Sequence, residues 1–63
     1  MADFSQERQR QTLEIDAALA ESEPGRAMQR LYDQWRAVRN DALKAEAFAH
    51  GLIGALIAGR AAR

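Results

Sequence analysis

The chain has 63 residues, with nine lysines and arginines balanced by nine aspartates and glutamates, one histidine and no cysteine. A chain of this length forms one small domain, residues 1–63, and buries only about 60% of the surface that its unfolded form exposes. Disulfides and a zinc site are excluded as sources of stability, which leaves helix packing or association with another chain. Zero net charge also argues against a general polyanion-binding protein, because such proteins carry a basic excess.

The composition and hydropathy pattern predict a cytoplasmic, all-α protein. The first residues lack the basic and apolar segments of a secretory signal. The longest apolar stretch, residues 47–59, is interrupted by His50 and would span about 20 Å as a helix. A bilayer core requires about 30 Å, so we expect no membrane partner. Abundant Ala, Arg, Gln, Glu and Leu, with little Val, Ile or Thr, is typical of helices.

The first predicted helix covers about residues 4–21. Asp3, followed three residues later by Gln6, is a variant of the capping box that begins many helices. Apolar residues follow one helical face only from Leu13 onwards, because residues 5–12 are almost wholly polar. We therefore expect the first half of this helix to fray or to lie on the surface.

The second predicted helix follows a turn at residues 22–25, in which Pro24 suits a first helical turn. A heptad seam, with its alternating three- and four-residue spacing, then continues without a slip through Met28, Leu31, Trp35, Val38, Ala42, Ala45, Ala49, Leu52, Leu56 and Gly59. This continuity predicts one helix over about 24–59, and hence a helical hairpin with a short helix 1 and a long helix 2. The alternative is a three-helix bundle with a break at Asn40-Asp41, because Asn can end a helix and Asp can cap the next.

The zero net charge is unevenly divided along the chain. Residues 1–25 contain six carboxylates and two arginines, a balance of minus four. Residues 26–44 contain five cations and two carboxylates, a balance of plus three. An acidic helix followed by a basic one favours antiparallel pairing, in which the charges select the orientation more than they stabilise it.

The predicted helices differ in length, which leaves half of the second helix without a partner. Helices of 18 and 36 residues are about 27 Å and 54 Å long. The unpartnered half is the most apolar part of the sequence, and a small residue recurs every four positions, which lets two helices approach closely. We predict that this half contacts another protein chain, in a homodimer or a heteromeric complex. The predicted interface consists of Ala47, Phe48, Gly51, Leu52, Ala55, Leu56 and Gly59, with Tyr32 and Arg36 at its polar rim.

Residues suited to catalysis or metal binding are few. His50 and Glu46 lie four positions apart, but a metal site would need further ligands from other helices. A hydrogen-bonded or partly exposed histidine is the simpler interpretation. The sequence contains no recognisable nucleophile–base set, phosphate-binding loop or pair of catalytic carboxylates. We therefore expect no enzyme activity, no cofactor, no metal and no small-molecule substrate.

The arginines of residues 26–39 give an alternative function. They are Arg26, Arg30, Arg36 and Arg39. They flank Tyr32 and Trp35, and aromatic side chains beside cations can stack on the bases of a nucleic acid. Because the arginines lie on different sides of a helix, a solvated face that pairs with the acidic first helix is preferred. A nucleic-acid-binding regulator is the second hypothesis.

A short segment of the sequence resembles two kinds of helical hairpin. Residues Leu31 to Trp35, which read LYDQW and lead into an Ala/Leu/Ile-rich helix, resemble the small co-chaperones of type III secretion needle subunits. The fragment Leu31-Tyr32-x-Gln34 is also similar to the hairpins that direct phycobilisome degradation. No site residue is transferred from either family. Both imply a protein that works by holding another protein, so we predict an adaptor, chaperone or inhibitor.

Overall fold

The computed structural model describes residues 3–59, and this part of the chain consists of three α-helices without any strand. Helix α1 is Phe4–Leu19, α2 is Pro24–Val38 and α3 is Ala42–Ile57. The predicted all-α class is therefore confirmed. None of the described helices is long and apolar enough to cross a membrane.

The predicted continuous helix over 24–59 is not present, because the chain leaves helical geometry between Val38 and Ala42. Asp41 has an extended backbone, with φ −116° and ψ 111°, and its side chain accepts a hydrogen bond from the Lys44 N–H. An aspartate in this position satisfies an N–H group that has no partner within the new helix. Asp41 therefore caps a third helix. This helix begins after Asn40-Asp41, where the sequence predicted a break as the alternative to one continuous helix.

The apolar core lies mainly where α1 and α3 pack together. Ile15 of α1 is completely buried, as are Ala47 and Ala55 of α3. Val38 joins the core from the last turn of α2, and Phe48 joins it from α3. Partly buried leucines complete the cluster, namely Leu19, Leu31 and Leu52.

A buried polar network joins α1 to α2, where the sequence predicted a frayed or surface segment. Glu7 and Gln11 are 5% and 3% exposed. The Gln11 side-chain amide donates to the Glu7 carboxylate at 2.9 Å. The Gln34 amide of α2 donates to the Gln11 side-chain oxygen at 2.8 Å and to its backbone oxygen at 3.0 Å. Glu7 and Gln11 are therefore part of the interior, whereas residues 5, 6 and 8–10 of the same segment are exposed, as the sequence predicted.

Charged contacts near the first turn also link α1 to α2. Arg30 donates to the Glu21 carboxylate at 2.6 Å and to the Ala17 carbonyl at 3.2 Å. Gln34 contacts Gln11, further along α2 and further back along α1, so the two helices run in opposite directions. The acidic segment, residues 1–25, and the basic segment, residues 26–44, therefore pack against each other in antiparallel helices. The observed ion pairs lie close to the turn between them.

Candidate functional site

The stripe of small residues predicted to bind another chain is used within the chain itself. Ala47, Gly51 and Ala55 are buried in α3, and Phe48 beside them is only 7% exposed. A Cβ atom placed on Gly51 would lie 3.0 Å from Ile15 Cδ1 and 3.1 Å from the Thr12 side-chain oxygen of α1. The close approach expected from this spacing therefore occurs between α3 and α1. These four residues are not accessible to a partner in this fold.

The last member of the stripe, Gly59, follows the end of α3 and has a structural role. Its φ angle is +75°, in the left-handed region, and its N–H donates to the Leu56 carbonyl at 3.2 Å. Glycine is favoured at this position after a helix because it has no Cβ to clash. The predicted interface therefore loses Gly59 as a helical contact residue.

Two other predicted residues, Leu52 and Leu56, line an apolar groove between α2 and α3. Leu56 is 63% exposed, whereas Leu52 is partly buried in the core. The opposite wall belongs to α2, and the groove has a volume of about 460 Å³. Its lining consists of Leu19, Glu21, Ser22, Pro24, Ala27, Met28, Leu31, Leu52 and Leu56. Apolar side chains form most of this lining.

An exposed apolar stripe on α2 continues from the groove. Met28, Tyr32 and Trp35 follow each other at four and three residues, so they lie on one side of the helix. They are 68%, 53% and 41% exposed. Together with Leu52 and Leu56, these three residues define what we call the α2–α3 surface.

Two arginines stack on the aromatic pair at one end of this surface. The Tyr32 and Trp35 rings are stacked, with centroids 5.9 Å apart and planes 27° apart. The Arg36 guanidinium lies 5.7 Å from the Tyr32 centroid, and the Arg39 guanidinium lies 5.4 Å from the Trp35 centroid. Each cation is thus held over a ring face, the geometry of a cation–π contact.

The other two arginines of α2 are paired with carboxylates. Arg26 lies 3.9 Å from Glu23 in an exposed contact, and Arg30 lies 2.6 Å from Glu21. The arginine cluster predicted over residues 26–39 is therefore divided into two arginines that lie within 4 Å of a glutamate and two whose guanidiniums lie over aromatic rings.

The sequence pattern assigned Met28 and Trp35 to a buried seam, and it indicated Arg39 for the alternative function but not for the protein interface. The seam assumed one straight helix, in which residues before and after Asn40 share a single buried face. The break between α2 and α3 removes that constraint: Val38 of the seam stays buried, Gln34 is buried in addition, and Met28 and Trp35 are exposed. The Asn40-Asp41 break signal was the feature from which this shift could have been anticipated.

His50 contacts an aromatic ring, and it forms no ion pair with the residues that the structure describes. Its ring meets Phe4 edge to face, with centroids 5.3 Å apart. Within residues 3–59, no three His, Asp or Glu side chains are grouped in a way that could hold a metal ion.

Comparisons with known proteins found no relative of this chain. No family model, curated protein or solved structure matches the chain. Function must therefore be argued from the α2–α3 surface itself.

Proposed function

We propose that this protein is a non-enzymatic interaction module that binds another protein chain through the α2–α3 surface. Adaptors, chaperones and inhibitors all act in this way. The observation that carries the proposal is the exposed Met28–Tyr32–Trp35 stripe beside an apolar groove. The site differs from the interface predicted from the sequence, although Leu52, Leu56 and Tyr32 belong to both and Arg36 borders both.

The composition of this surface supports binding to protein. Exposed apolar residues that occur singly need no explanation, but a contiguous patch beside a groove is typical of an interaction site. Tyrosine, tryptophan and arginine dominate the binding energy of many protein interfaces, and all three occur here side by side. Two further aliphatic residues of α3, Ile53 and Ile57, are also 55% and 83% exposed.

The second candidate is the nucleic-acid-binding regulator, and the stacked Tyr32–Trp35 pair with its two arginines favours it. Stacked aromatic rings can receive bases, and cations can contact phosphates. However, Arg30 is held by Glu21 at 2.6 Å and Arg26 lies near Glu23, so carboxylates of the first turn reduce the positive potential at the start of α2. We therefore favour a protein partner.

The proposal is tested by introducing charge into the groove. The double variant Met28→Glu/Leu56→Glu changes two side chains that are 68% and 63% exposed, so we expect it to fold. Two carboxylates in an apolar contact would be desolvated on binding, and partner capture should fall at least about tenfold. Leu13→Glu is the matched control, because Leu13 is 66% exposed on α1 and lies outside the surface.

Capture is measured in the source organism with a photoreactive benzoylphenylalanine in place of Tyr32. We expect a discrete crosslinked protein band that the double variant loses and the Leu13→Glu variant keeps. A band that survives the double variant would refute the proposal. Crosslinks to DNA or RNA, with affinity that falls steeply as salt rises, would instead support the second candidate.

A further inference from the structure

We propose that the α2–α3 surface receives an acidic amphipathic helix from a different protein. An apolar side chain of that helix would fill the groove, and its carboxylates would bind Arg36 and Arg39. This inference rests on the proposed interaction function and specifies the chemistry of the partner.

The groove has the size and lining needed for a hydrophobic anchor. Its volume of about 460 Å³ lies within the range of pockets that hold side chains or small ligands. Met28 and Leu31 form one wall, Leu52 and Leu56 form the other, and Leu19 contributes from α1. Two helices that leave an apolar groove between them commonly bind a third helix through anchors three, four or seven residues apart.

The spacing along α2 predicts where the partner carries its charges. Met28 and Arg39 are eleven residues apart on the same side of the helix, which corresponds to about 16 Å along its axis. Arg36 lies one turn beyond Tyr32. A helix lying along this stripe would therefore need carboxylates about two to three turns from its apolar anchor.

Arg36 and Arg39 both carry N–H donors suited to bind a carboxylate. Each guanidinium carbon lies over a ring, at 5.7 Å and 5.4 Å from its centroid, and each guanidinium carries five N–H donors in one plane. A planar guanidinium binds a carboxylate through two parallel hydrogen bonds. On α2, Arg26 and Arg30 each lie within 4 Å of a glutamate, whereas Arg36 and Arg39 lie over the aromatic rings of the surface and are placed to select an acidic partner.

A second copy of this chain would match the surface poorly. In a two-fold dimer with parallel α2 helices, Arg36 and Arg39 would face the same arginines of the other copy. In an antiparallel dimer, they would approach the N-terminal end of the other α2, which carries a partial positive charge. Of the two carboxylates near that end, Glu21 already accepts a hydrogen bond from Arg30 at 2.6 Å, and Glu23 lies 3.9 Å from Arg26 in an exposed contact.

The partner chemistry is tested by selecting displayed helical peptides of random surface composition on the purified protein. We expect enriched peptides to carry a large apolar residue and, about seven to eleven positions away, Asp or Glu. The variant Arg36→Glu/Arg39→Glu should bind these peptides about tenfold more weakly or worse and should select Lys or Arg instead. The control Arg8→Glu/Arg10→Glu makes the same change in net charge on exposed positions of α1.

The outcomes separate this inference from the proposed function. Peptides that depend on Met28 and Leu56 but show no acidic preference would overturn the inference and leave the interaction function standing. Sedimentation equilibrium showing a dimer that Met28→Glu dissociates would also overturn it, because the occupant would then be a second copy. Preferential binding of a single-stranded oligonucleotide, or peptides that still bind the Met28→Glu/Leu56→Glu variant, would overturn both.

Discussion

Gly51 shows how the lack of a side chain at one position determines which two helices pack closely. The spacing of small residues in α3 correctly predicted a close helix–helix approach, but the sequence could not identify the partner. The distances from a Gly51 Cβ to Ile15 and Thr12 identify it as α1 of the same chain. The sequence therefore revealed the type of contact, while the identity of the partner depended on a turn between α2 and α3.

This contact changes the expected effect of substituting Gly51. The sequence alone would predict that Gly51→Leu disrupts association while helix content is retained. Because the site is filled by α1, we expect Gly51→Leu to destabilise the folded chain by about 1–3 kcal/mol or more. Gly54 is the matched control, since a Cβ there has no neighbour within 4 Å. Gly54→Ala should stabilise the fold by about 1 kcal/mol through helix propensity.

Urea unfolding followed by circular dichroism distinguishes the two glycines. Equal effects at both positions would show that helix propensity alone governs them, and would contradict the packing of Gly51 against α1.

The buried polar residues are the part of the interior that hydropathy could not predict. A window rich in Ser, Gln, Glu and Arg is typical of a surface, yet Glu7 and Gln11 are buried. Gln34 of α2 donates a hydrogen bond to Gln11, which in turn donates to Glu7. Such a network fixes the relative position of two helices, because few other arrangements of the helices would satisfy the same buried polar groups. Its long-range pairing, 23 residues apart in sequence, leaves no local signature.

At the scale of elements, the decisive feature is the separation of α2 from α3. A heptad seam predicts which residues share a face, but the same spacing is compatible with two helices joined by a tight turn. The local chemistry of Asp41 decides between them, because its side chain caps α3. The boundaries of α1 and the start of α2 were predictable within two residues, since Asp3 and Pro24 act locally.

Removing this cap should weaken the third helix measurably. We expect Asp41→Ala to destabilise the protein by about 1 kcal/mol, which lowers the melting temperature of a small domain by about 4–8 °C. Glu23→Ala is the control, because Glu23 occupies the corresponding position before α2 without a side-chain capping bond. Its pair with Arg26 is largely exposed, so a change of less than about 0.5 kcal/mol is expected. Thermal unfolding in which both variants lose the same stability would contradict the capping role.

At the scale of the whole molecule, the three helices form a domain of short overall length. The Cα radius of gyration is 11.3 Å, and the principal extents are 36, 22 and 13 Å. The all-α class was predictable from composition, whereas this shape depends on the reversal between α2 and α3. The same reversal exposes Met28 and Trp35 and so creates the candidate site, which explains why the predicted and observed surfaces overlap only in part.

Small-angle X-ray scattering checks the shape directly. A monomer with the observed fold should give a radius of gyration close to that of a folded chain of this length, about 11 Å before hydration is added. A continuous helix of 36 residues would instead extend about 54 Å and give a much longer distance distribution. A maximum dimension of about that length or more at low protein concentration would contradict the break between α2 and α3.

The stacked aromatic pair gives this protein a built-in optical reporter. Trp35 is the chain's single tryptophan, it is 41% exposed, and it lies between the Tyr32 ring and the Arg39 guanidinium. Its emission therefore arises from one place, the surface on which a partner would dock. Covering that surface would remove water from the indole and shift the emission to shorter wavelength, so occupancy can be titrated on the unlabelled protein.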